Sequence, residues 1–289
     1  MGDASCQESG RENRAVRPRS PFVAAALLCL AAACAGPGGD GPPSAPPPAR
    51  TYVSLGDSYS AGGGLPGASP PCGRGPAAYP SLLAQQAGLV ASLHACNGAT
   101  TSDVLDRAQF PGEGPQVGAV TADADVVTIS IGGNDIGFGP RIRSCVLDAQ
   151  PCTRQEAEVN ADLAALGPKL SAVYGEVRQR APDATLVVVG YPQLVADPDQ
   201  ARYESCAGLT PDEARWVRDK GAALARIVRT SAEAAGARFV DAVSRFAGHE
   251  ACTADPWMTG ITLTTLEGSF HPNAAGHQQL AAMVQAALA

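Results

Sequence analysis

Short apolar runs alternate with segments of helical spacing along most of the chain. Five of these runs predict β-strands: Thr51–Leu55, Leu89–His94, Asp125–Ile131, Thr185–Val189 and Arg238–Val240. Between the third and fourth runs, apolar residues recur at helical spacing, at Leu163, Leu166, Leu170, Val173, Tyr174 and Val177. Strands that alternate with helices indicate a parallel sheet with helices on both faces. The pattern therefore predicts an α/β fold, a three-layer α/β/α sandwich with a five-stranded parallel sheet.

Helix starts are marked by residues that satisfy the first free backbone N–H groups. The segment Thr210–Glu213 has the spacing of a capping box, with proline at the first helical position. The segment Thr153–Glu156 has the same spacing and predicts the start of the preceding helix, or of a short helix before it. Pro168 is expected to break or kink that helix. A last helix is expected from about Asn273 to Leu288.

The first fifty residues follow a different pattern. Four arginines precede an uncharged, Ala/Leu-rich run of 13 residues, Pro21 to Ala33. A helix that spans a membrane needs about 20 residues, so this run suits the core of a signal peptide instead. Small residues then lead to Cys34, as at a bacterial lipoprotein cleavage site, where the cysteine becomes the lipidated first residue. The alternative is ordinary cleavage after an alanine, with Cys34 incidental.

These features divide the chain into three parts. Residues 1–33 are predicted to be a lipoprotein-type signal peptide. Residues 34–50 are rich in Gly and Pro, lack large apolar residues and are expected to form a tether. Residues 51–289 suffice for one α/β domain. We expect an exported protein, held at the outer face of the cytoplasmic membrane by a lipid on Cys34 or, with ordinary cleavage, secreted.

Charge and motif content narrow the functional classes. The chain has a formal net charge of −7 at pH 7. An acidic domain without a Lys/Arg cluster is a poor binder of nucleic acid, so nucleic acid is not an expected partner. The sequence has no C-x-x-C pair and no H-E-x-x-H motif, which argues against a zinc site. We expect a monomer that needs no metal and no cofactor.

The cysteine content also favours export. Of nine cysteines, six remain in the predicted domain: Cys72, Cys96, Cys145, Cys152, Cys206 and Cys252. An even number in an exported domain suggests three disulfides. Six cysteines allow 15 connectivities, and their spacing does not choose among them.

The segment Gly56-Asp57-Ser58 follows the first predicted strand and allows two interpretations. Gly, Asp and Ser are ordinary turn residues, and the G-x-S-x-G elbow is absent, so the local sequence favours a simple turn. A nucleophile would also need a base and oxyanion donors. Three further segments offer these parts: Cys96–Thr100, Ile131–Asp135 and Ser269–His277. Ligands of parallel sheets bind beyond the carboxyl ends of the strands. The Gly56-Asp57-Ser58 segment and the Ile131–Asp135 segment follow the first and third predicted strands and are expected there.

The four segments, in this order, resemble blocks I, II, III and V of the SGNH (GDSL) hydrolases. Ser58, Gly98, Asn134 and His271 stand at the four residues that give the family its name. Further stretches, "YVSLGDSYSAG", "SIGGNDIGF", "FAGHEAC" and "SFHPNAAGH", are similar to secreted lipases and esterases of actinomycetes. The resemblance extends from Tyr52 to the C-terminus, nearly the whole predicted domain.

The resemblance implies a carboxylic ester hydrolase that uses acyl-enzyme chemistry. Ser58 would attack the carbonyl of an ester or lipid substrate, and His271 would take the serine proton. The backbone N–H groups of Ser58 and Gly98 and the side-chain amide of Asn134 would bind the oxyanion. Lipase, esterase and phospholipase activities all fit this pattern. The alternatives are a carbohydrate (acetyl) esterase and a non-catalytic surface lipoprotein that retains the fold.

The sequence departs from the family pattern at one position. Many members have Asp three residues before the catalytic His, whereas Gly268 stands there in this chain. Related actinomycete enzymes use a backbone carbonyl instead, which implies a Ser–His dyad oriented by Gly268 or Ser269. Glu267 and Asp255 are the candidate substitute carboxylates.

The resemblance also implies the pairing of the cysteines, and other polar residues are expected to be structural. The implied disulfides are Cys72–Cys96, Cys145–Cys152 and Cys206–Cys252. Asp57 and Asp135 are expected to fix loop backbones, and His277 to anchor the last helix. His94 is expected to be structural, while His249 is either a packed loop residue or part of the pocket rim.

Overall fold

The structure is a computed structural model that describes residues 48–147, 150–200, 206, 208–261 and 268–289. The predicted signal peptide, nearly all of the predicted tether, Cys34 and Glu267 lie outside the described residues. Residues from Pro47 to Ala289 belong to one compact unit. In the described part of the chain, no helix combines the length and apolar character that crossing a membrane requires.

A parallel sheet of five strands forms the middle layer. The strands are β1 (Thr51–Gly56), β2 (Val90–Leu93), β3 (Val126–Ser130), β4 (Thr185–Val189) and β5 (Arg238–Val240). Their order is β2-β1-β3-β4-β5, and every neighbouring pair is parallel. The five predicted strands are confirmed, each with its ends within about one residue of the prediction, as expected for apolar runs of this length.

Helices cover the sheet on both faces. They are α1 (Ser58–Ala61), α2 (Tyr79–Ala87), α3 (Thr101–Leu105), α4 (Phe138–Leu147), α5 (Glu156–Arg180), α6 (Pro211–Ala234), α7 (Ala242–Arg245) and α8 (Ala274–Leu288). Helix α2 packs with α8, whereas α5 packs with α3 and α6. Together with the sheet these two groups form the predicted α/β/α sandwich. Residues of α5 at the predicted helical spacing, from Leu163 to Val177, are buried.

Two of the predicted helix starts are confirmed. At α6, the Thr210 hydroxyl accepts a hydrogen bond from Glu213 N, and the Glu213 side chain pairs with Thr210 N at 2.9 Å. At α8, the Asn273 side chain accepts a hydrogen bond from Gly276 N at 3.0 Å. These caps satisfy backbone donors that the helices themselves leave free.

Helices do begin near the predicted position, but the prediction that Thr153–Glu156 forms a capping box is wrong. A 3-10 turn occupies Cys152–Gln155, and α5 begins at Glu156 without a side-chain cap. The Glu156 carboxylate instead accepts a hydrogen bond from Lys220 Nζ on α6 at 2.5 Å. The contact between two long helices therefore overrides the local capping preference. Helix α5 also continues through Pro168, because its buried face packs along its whole length.

The strand order determines where a site can form. Strand β1 lies between β2 and β3. After β1 the chain forms β2 on one flank of β1, and it then crosses to form β3 on the other flank. A crevice opens at such a switch point, beyond the carboxyl ends of the two strands. Strand β1 ends at Gly56 (φ +121°), where a Cβ would lie 2.3 Å from Ser130 O of β3. Glycine is required there so that the two strand ends can approach each other closely.

Candidate active site

Ser58 is the first residue of α1 and stands directly beyond β1. The Asp57 carboxylate caps this helix by accepting a hydrogen bond from Tyr59 N at 2.9 Å. The Ser58 Oγ atom lies 2.6 Å from Nε2 of His271, across 213 residues of sequence. The first and fourth predicted segments therefore meet at hydrogen-bond distance.

The loop before α8 fixes the orientation of His271. Its backbone oxygen accepts a hydrogen bond from Thr259 N at 2.8 Å, and its Nδ1 lies 2.8 Å from Ser269 O. A carbonyl oxygen only accepts hydrogen bonds, so Nδ1 carries the proton and the lone pair of Nε2 faces Ser58. Gly268 and Ser269 were the two candidates for the carbonyl that orients His271, and the structure places the Ser269 carbonyl at Nδ1.

Burial keeps the His271 imidazole neutral. Desolvation lowers the pKa of His271 to about 4, and the positive charge of Arg143 lowers it further, while the Ser269 carbonyl raises it. A buried imidazole loses more solvation as a cation than as a neutral ring, which explains the sign of the main shift. At neutral pH the ring is therefore in the form that can accept a proton.

Asp255 and Glu267 were the candidate carboxylates for assisting His271. Asp255 Oδ2 lies 3.3 Å from Nδ1 of His249, so Asp255 serves a different histidine. Glu267 lies outside the described residues. The backbone at Gly268 packs against Gly64, where a Cβ would lie 2.3 Å from the Gly268 Cα. This close approach explains why the chain carries glycine at position 64, where φ is +83°.

The second and third segments bring hydrogen-bond donors to the same crevice. Gly98 has φ +76°, a conformation that favours glycine, and Gln109 Nε2 donates to Asn97 O beside it at 2.6 Å. Asn134 Nδ2 donates to Ala99 O at 2.9 Å. One amide hydrogen of Asn134 thus fixes its rotamer, and the amide has a second hydrogen with which it can bind a ligand.

A tyrosine that the sequence analysis did not single out links two of these segments. The Tyr191 hydroxyl accepts a hydrogen bond from Gly133 N at 3.0 Å and donates one to the Asp57 carboxylate. Desolvation raises the pKa of Asp57 to about 7, and the hydrogen bonds from Tyr191 and Tyr59 oppose that rise. Tyr191 follows β4 at the same edge of the sheet, and its position was the only signal that could have identified it.

Other polar residues have the expected structural roles. Asp135 accepts hydrogen bonds from the backbone N (2.9 Å) and hydroxyl (2.6 Å) of Thr101, which fixes the start of α3. His277 Nδ1 accepts a hydrogen bond from Tyr79 N at 3.1 Å, which joins α8 to α2. His249 stacks on the Trp257 ring with 3.6 Å between centroids, so it is a packed loop residue. His94 lies 2.6 Å from the Ser92 hydroxyl, a contact local to β2.

Three disulfides brace the loops around the crevice. They are Cys72–Cys96, Cys145–Cys152 and Cys206–Cys252, the pairs that the family resemblance implies. The first precedes Gly98 by two residues, and Asn97 N donates to Cys72 O at 2.9 Å. The second joins the end of α4 to the following turn, and the third ties down the segment that pairs with Leu194 through Ala251.

A cavity of about 300 Å³ opens beside Ser58 and His271. Its apolar wall is formed by Phe138, Pro140, Pro192, Leu194 and Leu224. Such a volume lies at the lower end of the range for ligand pockets. Within the ranges that the structure describes, no group of three His, Cys, Asp or Glu residues is placed to hold a metal ion.

A serine hydroxyl, an imidazole and a backbone carbonyl in line at the carboxyl edge of a parallel sheet define the geometry of a serine hydrolase. Similarity to known protein families and relatives specifies the class of hydrolase further. Residues 54–279 match the model of the GDSL-like lipase/acylhydrolase family, and the chain belongs to this family. It is a carboxylic ester hydrolase of the lipase/esterase type.

Named relatives agree with this assignment. Lipase 1 of Streptomyces coelicolor is 33% identical over 261 residues, which cover 88% of this chain and 92% of that protein. The crystal structure of an extracellular lipase from Streptomyces rimosus has a TM-score of 0.73 and 33% identity, and covers 83% of this chain and 100% of its own. The crystal structure of phospholipase A1 from Streptomyces albidoflavus has a TM-score of 0.73 and 32% identity, with coverages of 83% and 99%.

The protonation of His271 leads to a prediction for the pH profile. Because burial lowers the pKa of His271 to about 4, the imidazole stays neutral well below its ordinary range. We expect the acid limb of kcat/KM to be centred near this value, with activity lost as pH falls through it. The measurement is kcat/KM for a neutral, soluble ester across the acid range. The Asp57→Asn variant is the control, because it removes the other titrating group of the site. A limb that remains at the ordinary histidine pKa in this variant would contradict the prediction.

Proposed function

We propose that this protein is an exported lipase or esterase that works through a Ser58–His271 dyad. The observation that carries the proposal is the continuous line from Ser58 Oγ to His271 Nε2, at 2.6 Å, and from His271 Nδ1 to Ser269 O, at 2.8 Å. Ser58 attacks the ester carbonyl while Nε2 takes its proton. The same imidazole then protonates the departing alcohol, and water hydrolyses the acyl-enzyme.

The oxyanion is held by the backbone N–H groups of Ser58 and Gly98 and by the Asn134 amide. The Asn134 amide is fixed by Ala99 O, so it needs no reorganisation when the negative charge develops. Neutral donors that are fixed in advance stabilise the transition state more than mobile water does. Tyr191 holds Gly133 and Asp57 together, and so positions Asn134 relative to Ser58.

The acyl group is proposed to be a fatty-acid chain. The cavity beside Ser58 is lined by apolar side chains, including Phe138, Leu194 and Leu224, whose contact with an alkyl chain is favourable. An acetyl group would leave most of this wall without contact, which disfavours the carbohydrate esterase alternative. A series of nitrophenyl esters from acetyl upwards tests this, with kcat/KM rising with chain length. A maximum at acetyl would contradict it.

Covalent labelling tests the nucleophile. An alkylphosphonate nitrophenyl ester should add to the activated serine, and mass spectrometry of the digest should locate the adduct on Ser58. The Ser58→Ala variant should remain unlabelled, and His271→Ala should be labelled far more slowly. Ser102→Ala is the matched control, since Ser102 is an exposed serine of α3. A wild type that neither labels nor hydrolyses any ester would favour the non-catalytic lipoprotein.

The dyad predicts that no carboxylate assists His271. Because the neutral carbonyl of Ser269 already fixes the tautomer, Asp255→Asn and Glu267→Gln should each lower kcat by less than about tenfold, or about 1.4 kcal/mol of barrier. The measurement is kcat for a soluble ester, together with thermal unfolding to show that each variant is folded. A loss of about a thousandfold in either variant would reveal a true triad.

Export and anchoring are proposed from the sequence. Three disulfides suit an oxidising compartment, and the S. rimosus relative is described as extracellular. Multiple acyl chains on Cys34 would hold the protein stably at the outer face of the membrane. Cys34→Ala should release active enzyme into the medium. Native protein found in the medium with a start beyond residue 34 would contradict the anchor and leave secretion.

A further inference from the structure

One cationic side chain lines the catalytic cavity of this acidic protein. The chain has a formal net charge of −7, yet Arg143 of α4 stands in the cavity wall together with Ser58 and His271. Among the described residues of that wall, Arg143 is the only arginine or lysine. Its charge is close enough to His271 to disfavour protonation of the imidazole.

The position of Arg143 is set by the first turns of α4. Gly139 lies one turn before it, and a Cβ on Gly139 would stand 3.3 Å from Nη1 of Arg143. The guanidinium therefore lies over the backbone of Gly139, which also lines the cavity. Glycine gives the long side chain room to lie along the wall.

The neighbouring Arg141 shows what a structural arginine of this helix does. Its Nη1 donates to Asp162 at 2.8 Å and to Ile136 O at 2.7 Å. Within the ranges that the structure describes, Arg143 has neither an ion pair nor a hydrogen bond. A half-buried guanidinium without a partner loses solvation and gains nothing in return, unless a ligand supplies the anion.

We propose that Arg143 forms a subsite for a phosphate group of the substrate, which makes phospholipids the preferred esters. This rests on the proposed lipase or esterase function. The planar guanidinium binds two oxygens of a phosphate at once, which a neutral wall cannot do. In a glycerophospholipid the ester and the phosphate share one three-carbon backbone. A single cavity lined by both Ser58 and Arg143 can therefore receive the ester and the phosphate of one molecule.

A matched pair of substrates tests the subsite. Dihexanoyl phosphatidic acid and dihexanoylglycerol differ only in the phosphate, and both are used as monomers at low ionic strength. Wild type should prefer the phosphate-bearing ester, and Arg143→Gln should lower kcat/KM for it by about 10- to 100-fold. The same variant should change kcat/KM for dihexanoylglycerol by less than about threefold, because no charged contact is lost. Arg143→Lys should keep part of the preference as a point charge.

The control is Arg180→Gln, which removes an exposed arginine at the far end of α5 that pairs with Glu176. It should behave as wild type with both substrates. Equal losses on both esters in Arg143→Gln would overturn the proposal, because they would indicate a role independent of phosphate. The absence of any loss would overturn it too. A wild type that hydrolyses dihexanoylglycerol without preferring the phosphate refutes the subsite alone, whereas one that hydrolyses neither ester refutes the proposed function.

Inorganic phosphate separates a lipid subsite from a site for any small anion. We expect it to inhibit wild type only weakly, since it lacks the acyl chain that fills the apolar wall. Strong competitive inhibition that is lost in Arg143→Gln, without a preference for the phosphate-bearing ester, would contradict the lipid assignment.

Discussion

Replacement of His271 by alanine is expected to lower kcat by at least about 10⁴-fold, the largest effect of any single change in this protein. The imidazole is the only base at hydrogen-bond distance from Ser58 among the described residues, with Nε2 at 2.6 Å from Oγ. Without it, the hydroxyl must lose its proton to water as it attacks. The measurement is kcat for a soluble nitrophenyl ester, with background hydrolysis subtracted.

The double variant sharpens this test. If Ser58 and His271 act as one unit, as proposed, Ser58→Ala together with His271→Ala should be no slower than either single variant. His94→Ala is the matched control, since His94 contacts Ser92 on the edge strand and should leave kcat unchanged. A loss of less than about a hundredfold in His271→Ala would show that another group acts as the base.

Replacement of Asn134 by alanine is expected to lower kcat by about 10²- to 10³-fold, the typical cost of one oxyanion donor. The change removes both the donor and its contact with Ala99 O at 2.9 Å. Since the oxyanion exists only in the transition state and the intermediate, KM should change little. Steady-state kinetics with one soluble ester give both constants.

Asn134→Asp provides a sharper comparison than alanine. It keeps the size of the side chain but turns donors into acceptors, so it repels both Ala99 O and the oxyanion. Its kcat should be no higher than that of Asn134→Ala. Asn160→Ala on the surface of α5 is the control for a general effect of removing an amide. An increase in KM with kcat unchanged in Asn134→Ala would place Asn134 in ground-state binding instead.

The sequence was sufficient to predict the fold, and the structure brings residues of the four singled-out segments to one cavity. The apolar runs predicted all five strands. The three central strands, β1, β3 and β4, are buried, and such strands need continuous apolar faces, whereas β2 and β5 lie at the more exposed edges of the sheet. Ser58 and Asn134 could be placed at one edge because parallel strands end on the same side. Their adjacency depends on β1 and β3 being neighbours, which the residues of the two strands do not specify.

Contacts between residues that are far apart in the sequence could not be predicted from local sequence patterns. Tyr191 joins Asp57 to Gly133 only because three loops converge beyond β1, β3 and β4, and no spacing in the sequence indicates that. The capping box at Thr153 was predicted from spacing alone, whereas Lys220 of a later helix takes the Glu156 carboxylate. Arg143 was likewise unremarkable until the structure placed it in the cavity wall.

The three disulfides have a consequence for when the enzyme becomes active. Each one ties down a segment of the crevice: the loop of Gly98, the helix that carries Arg143, and the strip that pairs with Leu194. The reducing systems of the cytosol keep cysteines in the thiol form, so such disulfides do not form there. If the chain is exported, as proposed above, it would complete its active site only after it leaves the compartment where it is synthesised. For the exported lipid hydrolase proposed above, the formation of these disulfides would thus keep the enzyme inactive towards the lipids of the cell's interior.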